Sequence, residues 1–296
     1  MVWLLIVNPK AGDGRASRIL PELRSRLRDL GMEAEIRISG YRRHAVKLAE
    51  EAVSQGFRNI ICVGGDGTLH EVAGAILNSG KSDEVALGVV PIGVGNDFCR
   101  SLGIGGGLAG SLEVIRRGKI RRLDLGRLED IYFVNSMGAG LDAVVAQAAE
   151  KARFLPGSLR YLYAVLSSLL RLQRYPLEIE VDGEKRKLNA LMISIGNGPF
   201  CGRGFKLCPL AELDDGRLDL CVVEAISLTR VILSLPSVIK GTHLRYHYVS
   251  YHQPASIRLS FDSDLPIYCD GEVPDLHGKR QVSISIVPTK LNVFCP

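Results

Sequence analysis

One unit recurs through the first hundred residues: an apolar strand, a glycine or asparagine turn, then a helix. "VWLLIV" (2–7) runs into "NPKAGDGRA" and a helix with Ile19, Leu23, Leu27 and Leu30 on one face. "EAEIRIS" precedes the helix of "GYRRHAVKLAEEAVSQG", closed by Gly56. "NIICV" leads to "GGDGT" and a helix carrying Val72, Ile76 and Leu77. "VALGVV" leads to "PIGVGND" and a short helix. Near-continuous apolar strands alternating with helices call for a parallel sheet covered on both faces. The turns leaving its strands share one edge, where open α/β sheets bind ligands.

From about Asp124 the texture changes. "LEIEV" (177–181) alternates apolar and acidic residues, as a half-buried strand does. "LMISI", "LDLCVV", "ASIRLSF", "LPIYC" and "VSISIV" read likewise, with Gly and Asp turns between them. The expected fold is therefore a parallel-sheet α/β domain over residues 1–124, then a mostly antiparallel sandwich or barrel over 125–287. Two segments break the second pattern. Residues 158–175 predict a helix with apolar residues at 159, 162, 166 and 169, and 227–248 predict a second, interrupted by Pro236.

The composition is globular, with 46% apolar and 23% charged residues. No apolar run reaches the roughly 18 residues of a membrane span, and Met1 leads straight into the first strand without a signal peptide. The expectation is a soluble, cytoplasmic protein. A net charge of +5 without an aromatic-interleaved basic stripe argues against nucleic acid. One basic patch stands out, "RRGKIRRLDLGR" from Arg116 to Arg127. It reads either as a solvated helix end and turn or as a site for anionic lipid headgroups. The seven cysteines form no CxxC and are odd in number, so reduced core thiols are expected rather than disulfides or a zinc site.

In Gly64-Gly65-Asp66-Gly67-Thr68 the glycines bring backbone N–H groups close to an anion, and the next helix adds its N-terminal dipole. No lysine follows, so this is not the GxxxxGK[ST] loop, and GxGxxG does not fit. An acid in a phosphate cradle makes sense if a divalent cation lies between, as magnesium does in phosphoryl transfer. The bland reading of Asp66 is a capping acid in a tight turn. "PIGVGNDF" (91–98) is a second such turn: Gly93 and Gly95 permit close approach, and Asn96 and Asp97 can cap the next helix.

The ordered set "NPKAG" (8–12), "GGDGTLHEV" (64–72), "PIGVGNDF" (91–98), "FVNSMGAGLDA" (133–143), "LDDGRLDL" (213–220) and "DGE" (270–272) resembles the bacterial diacylglycerol kinase-like lipid kinases, relatives of the sphingosine and ceramide kinases. The likeness spans nearly the whole chain. It implies a phosphofructokinase- and NAD kinase-like first domain, a β-sandwich-like second domain, a last segment (288–296) returning to the first, and ATP meeting lipid between the domains. By position it implies a nucleotide site of Asn8, Ser39, Gly64, Gly65, Asp66, Gly67, Thr68, Leu69, His70 and Glu71, joined by the turn of Gly93, Val94 and Asn96. The family commonly has Thr where Ser39 and Val94 stand, so one hydroxyl is kept and one is missing. The general base maps to Glu272, with Asp270 of the same motif and Asp66 counted among the catalytic acids. A magnesium site in the second domain maps to the Asp215 carboxylate and the backbone carbonyls of Glu212 and Arg217, although "DDG" alone is as often a plain turn.

The expectation is an ATP- and Mg2+-dependent kinase of a membrane lipid such as diacylglycerol, bound peripherally, with a homodimer as one possible assembly. A lipid hydroxyl has a pKa far above neutral, so a positioned carboxylate must take its proton during attack. In this light the basic patch and the two leucine-rich helices become candidate membrane-facing elements. An NAD kinase shares "GGDGT", but no Asn-Glu dipeptide follows the loop here. A regulator without turnover is the rival from another class. "DGE" also occurs at Asp182-Gly183-Glu184, where Lys185, Arg186 and Lys187 mark a solvated turn.

Overall fold

The computed structural model describes residues 2–152, 155, 157–276 and 278–296. The chain divides into two units, Met1–Leu125 with Pro288–Pro296, and Gly126–Val287.

The first unit opens with β1 (Trp3–Val7), α1 (Ala11–Arg18), α2 (Leu20–Asp29), β2 (Ala34–Ile38), α3 (His44–Ser54), β3 (Asn59–Gly64), α4 (Asp66–Asn78), β4 (Ala86–Pro91), α5 (Asp97–Ser101), α6 (Gly107–Arg117) and β5 (Ile120–Leu123). β1 and β3 are buried at every residue, as strands covered on both faces must be. Strands β2, β1, β3 and β4 pair in parallel. Leu23 and Leu27 of α2 enter the core beside Trp3, Leu5 and Ile61, with Ile19 and Leu30 packed against it. The start of α1 is not helical: Gly12, Asp13 and Gly14 all have positive φ. α3 ends near Gly56, whose φ is +88°.

The second unit contains β6 (Gly126–Leu128), β7 (Ile131–Phe133), β8 (Ser136–Gly140), α7 (Leu141–Lys151), α8 (Gly157–Leu169), β9 (Tyr175–Val181), β10 (Glu184–Gly196), β11 (Asp219–Glu224), α9 (Leu228–Lys240), β12 (Val249–His252), β13 (Ser256–Phe261), β14 (Ile267–Cys269) and β15 (Gln281–Ile286). Its long sheet runs β12-β11-β10-β9-β13-β15-β6-β7, with β8 bridging β10 and β14. Every pairing in it is antiparallel. The chain's last strand, β16 (Leu291–Phe294), enters the first sheet, parallel to β4 and antiparallel to β5. That sheet is ordered β2-β1-β3-β4-β16-β5.

Two helix expectations are corrected. The first ends at Leu169 rather than 175, because Tyr175 already pairs with Ala190 in β9–β10. The second is not interrupted: α9 runs through Pro236 and stops at Gly241, which is left-handed at φ +73°. Proline removes one backbone donor, and the exposed outer side of α9 tolerates the carbonyl this leaves. The basic patch is also not a plain helix end. Gly118 caps α6, and the chain turns directly into the edge strand β5. All seven cysteines are free thiols, and all but Cys201 are buried.

Candidate active site

The turns leaving β1, β3 and β4 pack against one another at the carboxyl edge of the first sheet. A side chain would break the packing. A Cβ on Gly93 would lie 2.6 Å from the Gly65 Cα, and one on Gly12 would lie 2.3 Å from the Ile92 carbonyl oxygen. Only glycine allows two backbones this close. The amides of Ile92 and Gly93 both donate to the Gly64 carbonyl, at 2.7 and 3.2 Å.

Side chains complete the join. The Asp66 carboxylate accepts the Asn96 amide at 2.7 Å and the Phe98 amide at 3.5 Å. Asp66 therefore ties the first glycine loop to the second. That is a positioning role that spacing alone did not reveal. Asn96 is itself left-handed at φ +52° and donates Nδ2 to the Gly93 carbonyl at 2.8 Å. Its Oδ1 is buried without a hydrogen-bond partner. Asn8 donates its backbone N–H to the Val63 carbonyl and Nδ2 to the Thr68 hydroxyl, both at 3.0 Å. Its Oδ1 accepts the Lys10 amide at 3.1 Å.

The other expected nucleotide residues divide. Gly67 and Thr68 lie in the first turn of α4, whose N-terminal N–H groups and dipole favour an anion. Ser39 follows β2 and donates its amide to the Val7 carbonyl at 2.9 Å. Val94 stands at the tip of the second loop, 45% exposed. Glu71 accepts the Arg43 amide at 3.3 Å, and His70 is half-buried. At 2% exposure the Leu69 side chain belongs to the core, on the face of α4 that also buries Val72 and Ile76. Beneath the loop, burial pushes the Cys62 thiol well up, helped by the charges of Glu71 and Asp66, so it stays neutral.

In the second unit the acid-bearing turn follows β14. Cys269 and Glu272 exchange backbone hydrogen bonds at 2.8 and 2.9 Å across Asp270 and Gly271, which have φ +48° and +85°. Two successive positive φ values make a two-residue hairpin turn, here presenting a half-buried Glu272. Asp270 is 6% exposed. Its carboxylate accepts the amides of Val134, Asn135 and Ser136 at 2.7, 3.0 and 3.0 Å. The Asp270 amide donates to the Ser136 carbonyl at 2.8 Å. Three N–H donors hold the Asp270 carboxylate, so it positions the turn that carries Glu272. Asn135 and Asn197 brace the same segment, donating to the Phe200 and Val134 carbonyls, each at 2.8 Å.

The expected second-domain metal residues lie in an exposed turn. Asp215 accepts the Arg217 amide at 3.0 Å, so this carboxylate closes its own turn. Among the described residues no three His, Cys, Asp or Glu side chains converge as a metal cage. Nearby, burial raises the Asp219 carboxyl pKa, and the charges of Asp215 and Glu212 raise it further. Its Oδ1 accepts Tyr251 and Gln253, while Oδ2 is buried without a partner. A cation here would rely on backbone carbonyls beside one carboxylate, which is the donor set the resemblance implies.

Comparison with known proteins accounts for both units. Residues 2–128 match the diacylglycerol kinase catalytic domain, and residues 135–295 match the YegS C-terminal NAD kinase beta sandwich-like domain. Diacylglycerol kinases of Staphylococcus aureus strains MRSA252 and bovine RF122 / ET3-1 are each 31% identical over 295 residues, 99% of this chain and 91% of theirs. A diacylglycerol kinase crystal structure from Bacillus anthracis str. Sterne shares the fold with a TM-score of 0.81, at 24% identity, covering 99% of this chain and 96% of that one. The glycine loops, the late acid-bearing turn and these likenesses agree, and the chain belongs to the diacylglycerol kinase family of lipid kinases.

Proposed function

We propose that this lipid kinase uses ATP with magnesium to phosphorylate a hydroxyl of diacylglycerol, or of a similar glycerolipid, at a membrane surface. The observation that supports the reading is the Gly65–Gly93 contact. It leaves bare backbone at the exits of β3 and β4, beside the N-terminus of α4, where a phosphate chain can be held without side-chain interference. The buried, unpartnered Asn96 Oδ1 and the anionic Asp66 suit a hydrated cation between loop and phosphates. When bound, magnesium would neutralise charge building up on the transferred group.

The chemistry assigned to the chain's own residues is short. Glu272 takes the proton of the lipid hydroxyl as its oxygen bonds to the γ-phosphorus. The bond from phosphorus to the bridging oxygen breaks, and ADP leaves. Asp270 holds the turn, so that Glu272 need not be ordered at the moment of reaction. The S. aureus relatives are named diacylglycerol kinases, which is the ground for choosing this acceptor.

The test is incubation with γ-labelled ATP, magnesium and separate acceptors: diacylglycerol, phosphatidylglycerol, a sphingoid base and NAD. Labelled phosphatidic acid is the expected product. Label on NAD, or on the sphingoid base alone, would overturn the assigned acceptor class.

A further inference from the structure

We propose that the outer faces of α8 and α9 form one docking surface for an anionic bilayer. The choice of a bilayer as occupant rests on the lipid-kinase reading; the surface itself rests on burial and charge.

The two helices lie on the same face of the second sheet. Along β11, Leu220 and Val222 point into the main core, so Val223 points to the opposite face. There Leu191 and Val223 meet Val165 and Leu169 of α8 and Val231 of α9 in a separate cluster. Both helices therefore spend one side on the sheet, and the side opposite is turned away from it. An ordinary surface helix is polar on that outer side. These are not. In α9, Leu228, Ile232, Leu233 and Ile239 are exposed, Leu233 at 77%. In α8, Leu162, Leu166 and, just past its end, Leu170 are exposed, the last at 82%. Single exposed leucines mean little, but these seven apolar side chains, on two helices that pack on one cluster, mark an interaction site.

Charge selects the occupant. From Ala225 to Phe261 the sequence has no Asp or Glu, while Arg230 and Lys240 lie in α9 and Arg245 follows it, all three exposed. Among the described residues none of the three forms an ion pair. Apolar side chains fringed by unpaired cations fit a surface of anionic headgroups over hydrocarbon. A second copy of the same face would set these cations against their own kind. The patch at Arg116–Arg127 is different. Arg116 and Arg117 pair with Glu113 at 2.8 and 3.3 Å, and Arg122 pairs with Asp83 at 2.7 Å. Three of its cations are already paired within the fold, so it is not assigned to docking.

The experiment is flotation of the full chain with phosphatidylcholine vesicles, with and without phosphatidylglycerol, and with no substrate lipid. Wild type should float with the phosphatidylglycerol vesicles and be released by salt. Leu233→Glu with Ile239→Glu should lower the bound fraction at least about tenfold. Arg230→Gln with Lys240→Gln should weaken binding only where phosphatidylglycerol is present, and Arg116→Gln with Arg122→Gln should change nothing. Thermal melts check that each variant is folded; the residues are exposed, and none belongs to the site above. Undiminished binding by the Leu233→Glu, Ile239→Glu variant would overturn the proposal. So would a wild-type dimer that this variant splits while still floating. Phosphorylation of a short-chain, water-soluble diacylglycerol is measured in parallel. Its absence in wild type would count against the proposed function and leave the vesicle result standing.

Discussion

The Asp66 carboxylate accepts the backbone N–H of Asn96, thirty residues ahead in the chain, at 2.7 Å. One acid thereby fixes the spacing of two glycine loops that would otherwise be joined only by backbone contact. An asparagine at position 66 keeps one acceptor oxygen but loses the charge. We expect Asp66→Asn to lower stability by about 1–2 kcal/mol and to reduce turnover far more than that loss explains. Thermal melts and single-turnover phosphorylation would show it. A variant with full turnover at ordinary magnesium would reduce Asp66 to a turn residue.

Gly93→Ala puts its Cβ 2.6 Å from the Gly65 Cα, where backbone must give way. We expect a cost of about 1–3 kcal/mol together with weakened ATP binding by calorimetry. Gly74 is the control. It lies inside α4 with nothing near its would-be Cβ. Gly74→Ala should stabilise by about 0.5–1 kcal/mol and leave ATP affinity alone. Equal effects at the two glycines would contradict the contact.

Val94 stands exposed at the tip of the second loop, where the resemblance implies a threonine. Val94→Thr has room for its hydroxyl. One added hydrogen bond of about 0.5–1.5 kcal/mol would lower the KM for ATP roughly two- to tenfold. An unchanged KM would mean that the loop backbone does this work alone.

Much of this site was legible because its parts are local. Strand, glycine turn and helix follow one another in sequence, and β1, β3 and β4 were plain as continuous apolar runs. What could not be read depends on distant partners. β8 is "SMGAG", a run with little strand propensity, yet it is fully buried between β10 and β14. Gly138 is required there because any Cβ would meet the Asp142 carboxylate at 1.9 Å. The brace from Asp270 to Val134, Asn135 and Ser136 spans more than 130 residues, so the motif "DGE" could not show which acid was already committed. The burial of the Leu69 side chain was hidden for a simpler reason. A motif names consecutive residues, whereas a helix turns some of them inward.

Burial holds the His243 imidazole pKa below its ordinary 6.5, against a contact of Nε2 with the Leu207 carbonyl at 3.2 Å. The folded state keeps the ring neutral while the unfolded chain begins to bind a proton near pH 6.5. Stability from this residue is thus complete above that pH and falls as the pH drops toward the folded-state value. Acids with raised pKa values act in the opposite sense, so a comparison isolates the histidine. The urea midpoint of wild type should fall more between about pH 7.5 and 5.5 than that of His243→Gln. Parallel profiles would mean that His243 protonates in place.

The two "DGE" turns offer the sharpest test, because their backbones are alike and their surroundings are not. Asp182 and Asp270 both have φ +48°, each followed by a glycine with positive φ. Each aspartate also brackets a neighbouring strand. Asp182 accepts the amides of Ala255 and Ser256 at 3.1 and 3.0 Å, as Asp270 accepts three. But Asp182 and Glu184 are exposed, whereas Asp270 is buried and Glu272 half-buried. Removing Asp270 leaves three buried donors unpaired, so Asp270→Ala should cost about 3 kcal/mol or more, and Asp182→Ala about 1 kcal/mol. The glutamates should separate by activity instead. Glu272→Gln keeps the shape of the turn and removes the proposed base, so lipid phosphorylation should fall at least about a hundredfold while ATP still binds. Glu184→Gln should match wild type in turnover and stay within about 0.5 kcal/mol in stability. An inactive Glu184→Gln beside an active Glu272→Gln would assign the base to the wrong hairpin.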